Sequence, residues 1–137
     1  VIMKENYYKI QKQYPSIIFS HLSSLFLNNV IKKAPIMLTL ENNYHNKNLN
    51  KYELFYIKKE QLKIGLIIQK TSDGKYLKYY DIERTICDLI RSSKRIDTKI
   101  CKNIFKNHIC LCNIEKLYNY ALLFNIEKQV RSYLFLS

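Results

Sequence analysis

Tyr80-Asp81-Ile82-Glu83-Arg84-Thr85-Ile86-Cys87-Asp88-Leu89-Ile90-Arg91-Ser92-Ser93-Lys94-Arg95-Ile96-Asp97 is the stretch that decides how this chain folds. It carries the backbone from a strand pattern into an amphipathic helix and then to the cap of another helix. Asp81 suits an N-cap, because its carboxylate can accept from the unpaired amides of a first helical turn. Glu83 adds negative charge where the helix dipole is positive. Ile82, Ile86, Leu89 and Ile90 recur at helical spacing and form one apolar stripe. Arg84 and Asp88 stand four residues apart, and Asp88 and Arg91 three apart. Exposed pairs at these spacings contribute only about 0.2–0.5 kcal/mol each, so a solvated helix face is the plain expectation for them.

Upstream of this stretch the pattern alternates between helix and strand. Glu5 to Tyr14 reads as a helix with Tyr7, Ile10 and Tyr14 at helical spacing, stopped by Pro15. Ser20 is placed to cap a second helix carrying Leu22, Leu25 and Phe26. Strands are expected at 36–40, 52–57 and 65–70, with an Asn-rich loop over 41–50. Asp73-Gly74 supplies the residues of a type I′ hairpin turn into a returning strand at 76–80. Downstream, Ile100, Ile104 and Phe105 mark a helix after Asp97, and Leu117, Ala121 and Phe124 another after Asn113. Asn125 is expected to cap a last helix holding Ile126, Val130, Tyr133 and Leu134. The fold class is therefore α+β, with a small, mostly antiparallel sheet and N-terminal helices followed by a C-terminal helical cluster.

With 137 residues and 47% hydrophobic composition, the chain can bury a core. Two glycines and two prolines leave little room for irregular structure, while the abundance of Lys, Asn, Ile and Tyr suggests AT-rich coding. The sequence has no run of ~18 apolar residues and no apolar leader with a cleavage site, so the expectation is a cytoplasmic protein without a membrane partner. Its 23 basic residues against 11 acidic ones give a net charge of +12, which favours an acidic partner such as nucleic acid or a negative protein face. That charge is dispersed, as in Lys32-Lys33, Lys58-Lys59 and Lys94-Arg95, and dispersed lysine is more often solubilising surface than a docking site.

Candidate chemistry is sparse. Cysteines stand at 87, 101, 110 and 112, and His108-x-Cys110-x-Cys112 has one residue too few between thiolates for a zinc knuckle. Buried thiols are expected for Cys87 and Cys101 beside apolar helix positions. Ser20-His21 offers a hydroxyl and a base, but adjacent residues at a helix start should diverge, leaving a capping serine and a partly exposed histidine. Glu53-Leu54-Phe55 and Glu41-Asn42-Asn43 lack the lysine of a nuclease Glu-x-Lys pair, and neither glycine belongs to a phosphate loop. The sequence therefore points to no enzyme, no catalytic residue, no metal and no cofactor.

The central stretch, Asp81 to Arg91 closing on Ile96-Asp97, resembles the Y-D-x-E-R-T-I-C-D-x-I/L-R segment of AbiEi-family antitoxins of type IV abortive-infection toxin–antitoxin systems. Tyr14-Pro15, Ile18-Phe19-Ser20-His21 and Leu25-Phe26-Leu27 resemble an upstream block of that family. Tyr120-Ala121, Phe124, Glu127-Lys128 and Arg131-Ser132-Tyr133-Leu134 resemble its terminus. The blocks follow family order. Ser16-Ile17 stands where the family usually has a glycine before Ile-Phe-Ser-His, Asn28-Asn29 where it has His-Gly, and Asn43-Tyr44-His45 where it has Gly-Tyr-Asn, which places loop geometry in question there.

The resemblance implies a motif set of Asp81, Glu83, Arg84, Thr85, Asp88, Arg91 and Asp97. It implies a non-enzymatic antitoxin domain for phage defence, countering a co-encoded nucleotidyltransferase-like toxin. Family members usually carry an N-terminal winged helix, so residues 1–14 are expected as a linker helix from such a domain. Residues 15–137 then form one antitoxin domain, with a mixed half at 15–80 and a helical half at 81–137. Arg84, Arg91, Lys94, Arg95 and Lys99 are the expected contact face, toward the toxin, an RNA or operator DNA. Two alternatives stay open: a DNA-binding transcriptional regulator fragment whose basic helical half contacts phosphates, and a non-functional remnant.

Overall fold

A computed structural model of the chain describes residues 4–136. It comprises two compact units, the first running to Asp81 and the second beginning at Ile82. Among the described residues are seven α-helices and one five-stranded sheet, an α+β architecture.

The first unit holds α1 (Lys4–Gln13), β1 (Ile18–Phe19), α2 (His21–Leu27), β2 (Met37–Glu41), β3 (Glu53–Ile57), β4 (Leu66–Lys70) and β5 (Tyr76–Tyr80). The strand order is β3-β2-β1-β5-β4, so the shortest strand lies in the middle. The sheet is mixed rather than mostly antiparallel: β1–β2 and β4–β5 are antiparallel, whereas β1–β5 and β2–β3 are parallel. Parallel neighbours need a crossover of about a dozen residues. The Asn-rich segment 42–52 supplies one, bent by a single 3₁₀ turn at Lys47–Leu49 whose Leu49 plugs the core.

Strand register explains which side chains are buried. Phe19, Leu38, Leu40, Leu77 and Tyr79 point to one face with Tyr7 of α1, whereas Ile18, Met37, Thr39, Phe55, Ile57 and Tyr80 are buried on the other. Both faces of the central strands are thus covered, which is why β2 reads as a continuous apolar run. The Tyr7 ring lies 4.8 Å from Phe19 and 5.2 Å from Phe26. Ser23 ties α2 to the start of β2, donating to the Pro35 carbonyl and accepting from the Met37 amide, both at 2.8 Å.

Helix α1, read from the sequence as a linker, belongs to this unit's core. Its fully buried Gln11 donates to the Ile17 carbonyl at 3.0 Å and the Tyr14 carbonyl at 3.3 Å, and accepts from the Lys78 amide at 2.8 Å. The carboxamide stands in for a stretch of sheet where β1 has not yet begun and β5 already runs.

Turns account for the remaining differences from the sequence reading. Asp73 is not in the left-handed region and Gly74 is, at φ 85°, while the Gly74 amide reaches the Thr71 carbonyl at 3.1 Å. This is a three-residue hairpin loop closed by a left-handed glycine, not the expected type I′ turn, which needs positive φ at both central residues. Asn29 adopts φ 64°. The Val30 amide bonds the Leu25 carbonyl and the Asn29 amide that of Phe26, a Schellman stop for α2.

The second unit contains α3 (Ile82–Arg91), α4 (Ser93–Ile96), α5 (Thr98–His108), α6 (Ile114–Leu123) and α7 (Glu127–Leu136). Asp97 caps α5 through the Ile100 amide at 3.1 Å, and Asn113 caps α6 through the Lys116 amide at 3.0 Å. Asn125 does not cap α7. At φ 56° it terminates α6 by the same Schellman geometry as Asn29, with the Ile126 amide on the Ala121 carbonyl. Among the described residues, no helix is long and apolar enough to cross a membrane.

Replacing Gln11 by alanine leaves buried backbone groups without partners, at a cost of about 1–3 kcal/mol for each group affected. Urea unfolding of Gln11→Ala is expected to show a loss of at least about 2 kcal/mol. Gln11→Glu keeps the acceptor for Lys78 but cannot donate to Ile17 while ionised. Its deficit relative to the parent should shrink as pH falls and the carboxyl takes up a proton.

Candidate functional site

Helix α3 carries charge on a face that is not solvated. Arg84 is 0% exposed and Asp88 3%, so the expectation of a water-facing pair fails for both. Arg84 Nε donates to both Asp88 carboxylate oxygens at 3.1 Å. Arg91 Nη1 reaches the same carboxylate at 3.3 Å, with its own side chain 31% exposed. Both guanidinium groups lie over the ring of Phe124, at the C-terminal end of α6, with their central carbons 4.6 and 4.7 Å from its centroid. Stacking on an aromatic face suits the weakly hydrated, planar guanidinium better than it would an ammonium.

Glu83 acts on a different helix from the one expected. Its carboxylate accepts from the Asn113 amide at 2.9 Å and lies 3.4 Å from Lys116 Nζ. The charge therefore sits at the N-terminus of α6, where the dipole favours it. Thr85 is buried, as is Asp81, whose amide donates to the Gly65 carbonyl at 2.8 Å. Of the motif residues, Asp81, Glu83, Arg84, Thr85 and Asp88 are interior, and Asp97 is an exposed cap. The buried part of the motif organises the helices, while Arg91 and Asp97 stay exposed.

Arg84 accordingly drops out of the expected contact face. Lys94, Arg95 and Lys99 are exposed, and two further lysines join them. Lys99, Lys102 and Lys106 fall at i, i+3 and i+7 on α5, on the side away from the buried Cys101 and Phe105. From Arg91 to Lys106 six basic residues accompany one carboxylate, Asp97, which is engaged as a cap. The sequence reading missed Lys102 and Lys106; the helical period of α5 would have found them.

The cysteines are not brought together as a site. Cys87 and Cys101 are buried, Cys110 is exposed and Cys112 partly so. Burial pushes the Cys87 thiol up to about 12, and Cys101 also rises through burial. Both stay protonated at neutral pH, which suits neither a nucleophile nor a metal ligand. Among the described residues, no group of three His, Cys, Asp or Glu side chains is placed to hold a metal.

Ser20 and His21 do come together, contrary to expectation. Ser20 Oγ lies 2.7 Å from His21 Nδ1, and Thr39 Oγ1 donates to Ser20 Oγ at 2.7 Å. The contact depends on an unusual backbone, with His21 at φ 55°, and the imidazole stacks 3.7 Å from Phe55. Ser20 makes no side-chain cap bond, and its surface is 0% exposed, His21's 3%. A serine nucleophile has to reach its substrate; this hydroxyl instead joins β2 to the start of α2.

No family model matches the chain, and no characterised protein is significantly similar to it.

Asp88→Ala leaves the Arg84 charge buried without its carboxylate and should cost about 3–5 kcal/mol in urea unfolding, whereas the double change to well-packed apolar residues should recover most of that loss. In thiol labelling of the folded protein, Cys110 should react first, and Cys87 and Cys101 only upon unfolding. Raising the pH from 7 to 9 should leave Cys87 unreactive.

Proposed function

We propose that the chain is a non-enzymatic antitoxin domain of the AbiEi type, countering a co-encoded nucleotidyltransferase-like toxin in the bacterial cytoplasm. The reading rests on sequence resemblance, and one observation supports it: residues from two separate blocks of that resemblance form a single cluster. Arg84, Asp88 and Arg91 belong to the central block and Phe124 to the terminal one, yet both arginines lie over the Phe124 ring. A chance match in one block has no reason to find its packing partner in the other.

The contact face is assigned to the exposed basic segment of α4 and α5, with Lys94, Arg95, Lys99, Lys102 and Lys106. Arg91 serves both the face and the interior, since it also engages Asp88 and Phe124. A second reading, a DNA-binding regulator, is favoured by the same lysine row on α5, which could follow a line of phosphates.

Co-expression with a nucleotidyltransferase toxin from the same genetic neighbourhood tests the proposal by colony survival. The parent chain should rescue growth. Lys94→Glu, Lys99→Glu and Lys102→Glu together should abolish rescue with an unchanged melting temperature, because these exposed side chains hold no interior contact. Full rescue by that triple variant would remove the face from the mechanism. DNA binding that weakens steeply with salt, its slope flattening by about 0.9 for each phosphate that a variant no longer neutralises, would favour the regulator instead.

A further inference from the structure

The first unit has a groove that the antitoxin reading does not use. It measures about 690 Å³ and runs between α1 and the β4–β5 hairpin, lined by Glu5, Tyr8, Lys9, Lys12 and the 73–76 turn. That volume lies within the range of ordinary ligand sites. Two lining residues, Tyr8 and Tyr76, each have an ammonium group beside the ring, of which Lys75 belongs to the lining and Lys78 does not. Lys75 Nζ lies 6.0 Å from the Tyr8 ring centroid, and Lys78 Nζ 6.0 Å from that of Tyr76.

Two carboxylates, Glu5 and Asp73, share the lining with the lysines Lys9, Lys12 and Lys75. Asp73 is hydrogen-bonded by the Thr71 hydroxyl, which holds its carboxyl below the usual range, and it sits 3.7 Å from Lys75 Nζ. Lys9 and Lys12 project from the exposed side of α1, three residues apart and hence on neighbouring positions of one face. The walls are held rigidly, because Gln11 locks α1 to β5 at the Lys78 amide and Lys78 Nζ donates to the Pro15 carbonyl at 2.8 Å.

Half-buried tyrosines beside exposed lysines match one ligand class better than others. Bases stack on aromatic faces at about 1–3 kcal/mol each, whatever their identity, and lysines follow the phosphates. An acidic peptide would use the lysines but give the rings no partner. An apolar ligand would use the rings but leave three ammonium groups to be desolvated.

We propose that this groove binds a short segment of single-stranded nucleic acid, with Tyr8 and Tyr76 as stacking platforms and Lys9, Lys12 and Lys75 on the phosphates. Such binding does not depend on antitoxin activity, since the groove lies in the first unit and the basic face of α5 in the second.

Fluorescence anisotropy with labelled oligo(U) and oligo(dT), titrated with the full chain over a range of KCl concentrations, tests it. The parent should bind at least one of them saturably, and the tighter polymer identifies the natural class as RNA or DNA. Tyr8→Leu and Tyr76→Leu retain apolar bulk for packing. Each should weaken binding by roughly 5- to 150-fold at an unchanged salt slope, the loss of one stacked base. Lys9→Ala with Lys12→Ala, both on exposed sites, should flatten the slope by about 1.4. Lys102→Glu with Lys106→Glu on α5 should leave the affinity intact. Absence of binding to either oligonucleotide, or parental affinity in both tyrosine variants, would overturn the proposal. Loss of binding only in the α5 variant would overturn it too, by placing the nucleic acid on the other unit.

Discussion

The first unit depends on one carboxamide. Its central strand, β1, is two residues long and pairs with β5 through a single register position, Phe19 with Tyr79. A sheet with so short a middle would leave the backbone just before β1 and midway along β5 without partners inside the protein, a costly arrangement. Gln11 resolves this by inserting between the Ile17 carbonyl and the Lys78 amide, donating to one and accepting from the other. The same bonds fix α1 against the sheet, so that Tyr7 reaches Phe19 and Phe26 in the core. Local backbone satisfaction and global packing are thus one event.

The second unit makes the equivalent use of a charged group. Arg84 is held by the Asp88 carboxylate on one side and the Phe124 ring on another, and Glu83 reaches across to the start of α6. The Phe124 and Glu83 contacts link α3 to the α6 region, and the Arg84–Asp88 pair within α3 holds the guanidinium in place for the first; all are directional in a way that apolar packing is not. Buried ion pairs add little net stability compared with apolar substitutes. Their directionality here constrains which helix lies where.

What could be read from the sequence follows from the range of each interaction. Helical periodicity is local, and it located α1, α3, α5, α6 and α7 along with the cap at Asp97. The α+β division was equally legible. Strand direction was not, because the parallel pairing of β2 with β3 depends on where an eleven-residue loop returns the chain. β1 is too short to show any period. The charges of α3 read as a wet face because i and i+4 spacing says nothing of burial; only Phe124, forty residues on from Arg84, decides it. Ser20 and His21 were expected to diverge, which holds for ordinary helical backbone and fails at φ 55°. In the same way Glu83 and Asn125 each serve α6, and a reading confined to neighbours assigns them to their own helices.

The two asparagines that end α2 and α6 bear on how such a chain can evolve. Glycine is the usual residue at a left-handed helix stop, and all of its codons begin with two guanines. Asparagine tolerates that backbone better than most residues, and its codons begin with two adenines. A gene drifting toward low GC content would lose glycines first, and with them its helix terminations. With Asn29 and Asn125 at those positions, this chain retains both stops while having only two glycines in all. Base composition and backbone geometry, usually treated as separate pressures, are reconciled at two codons.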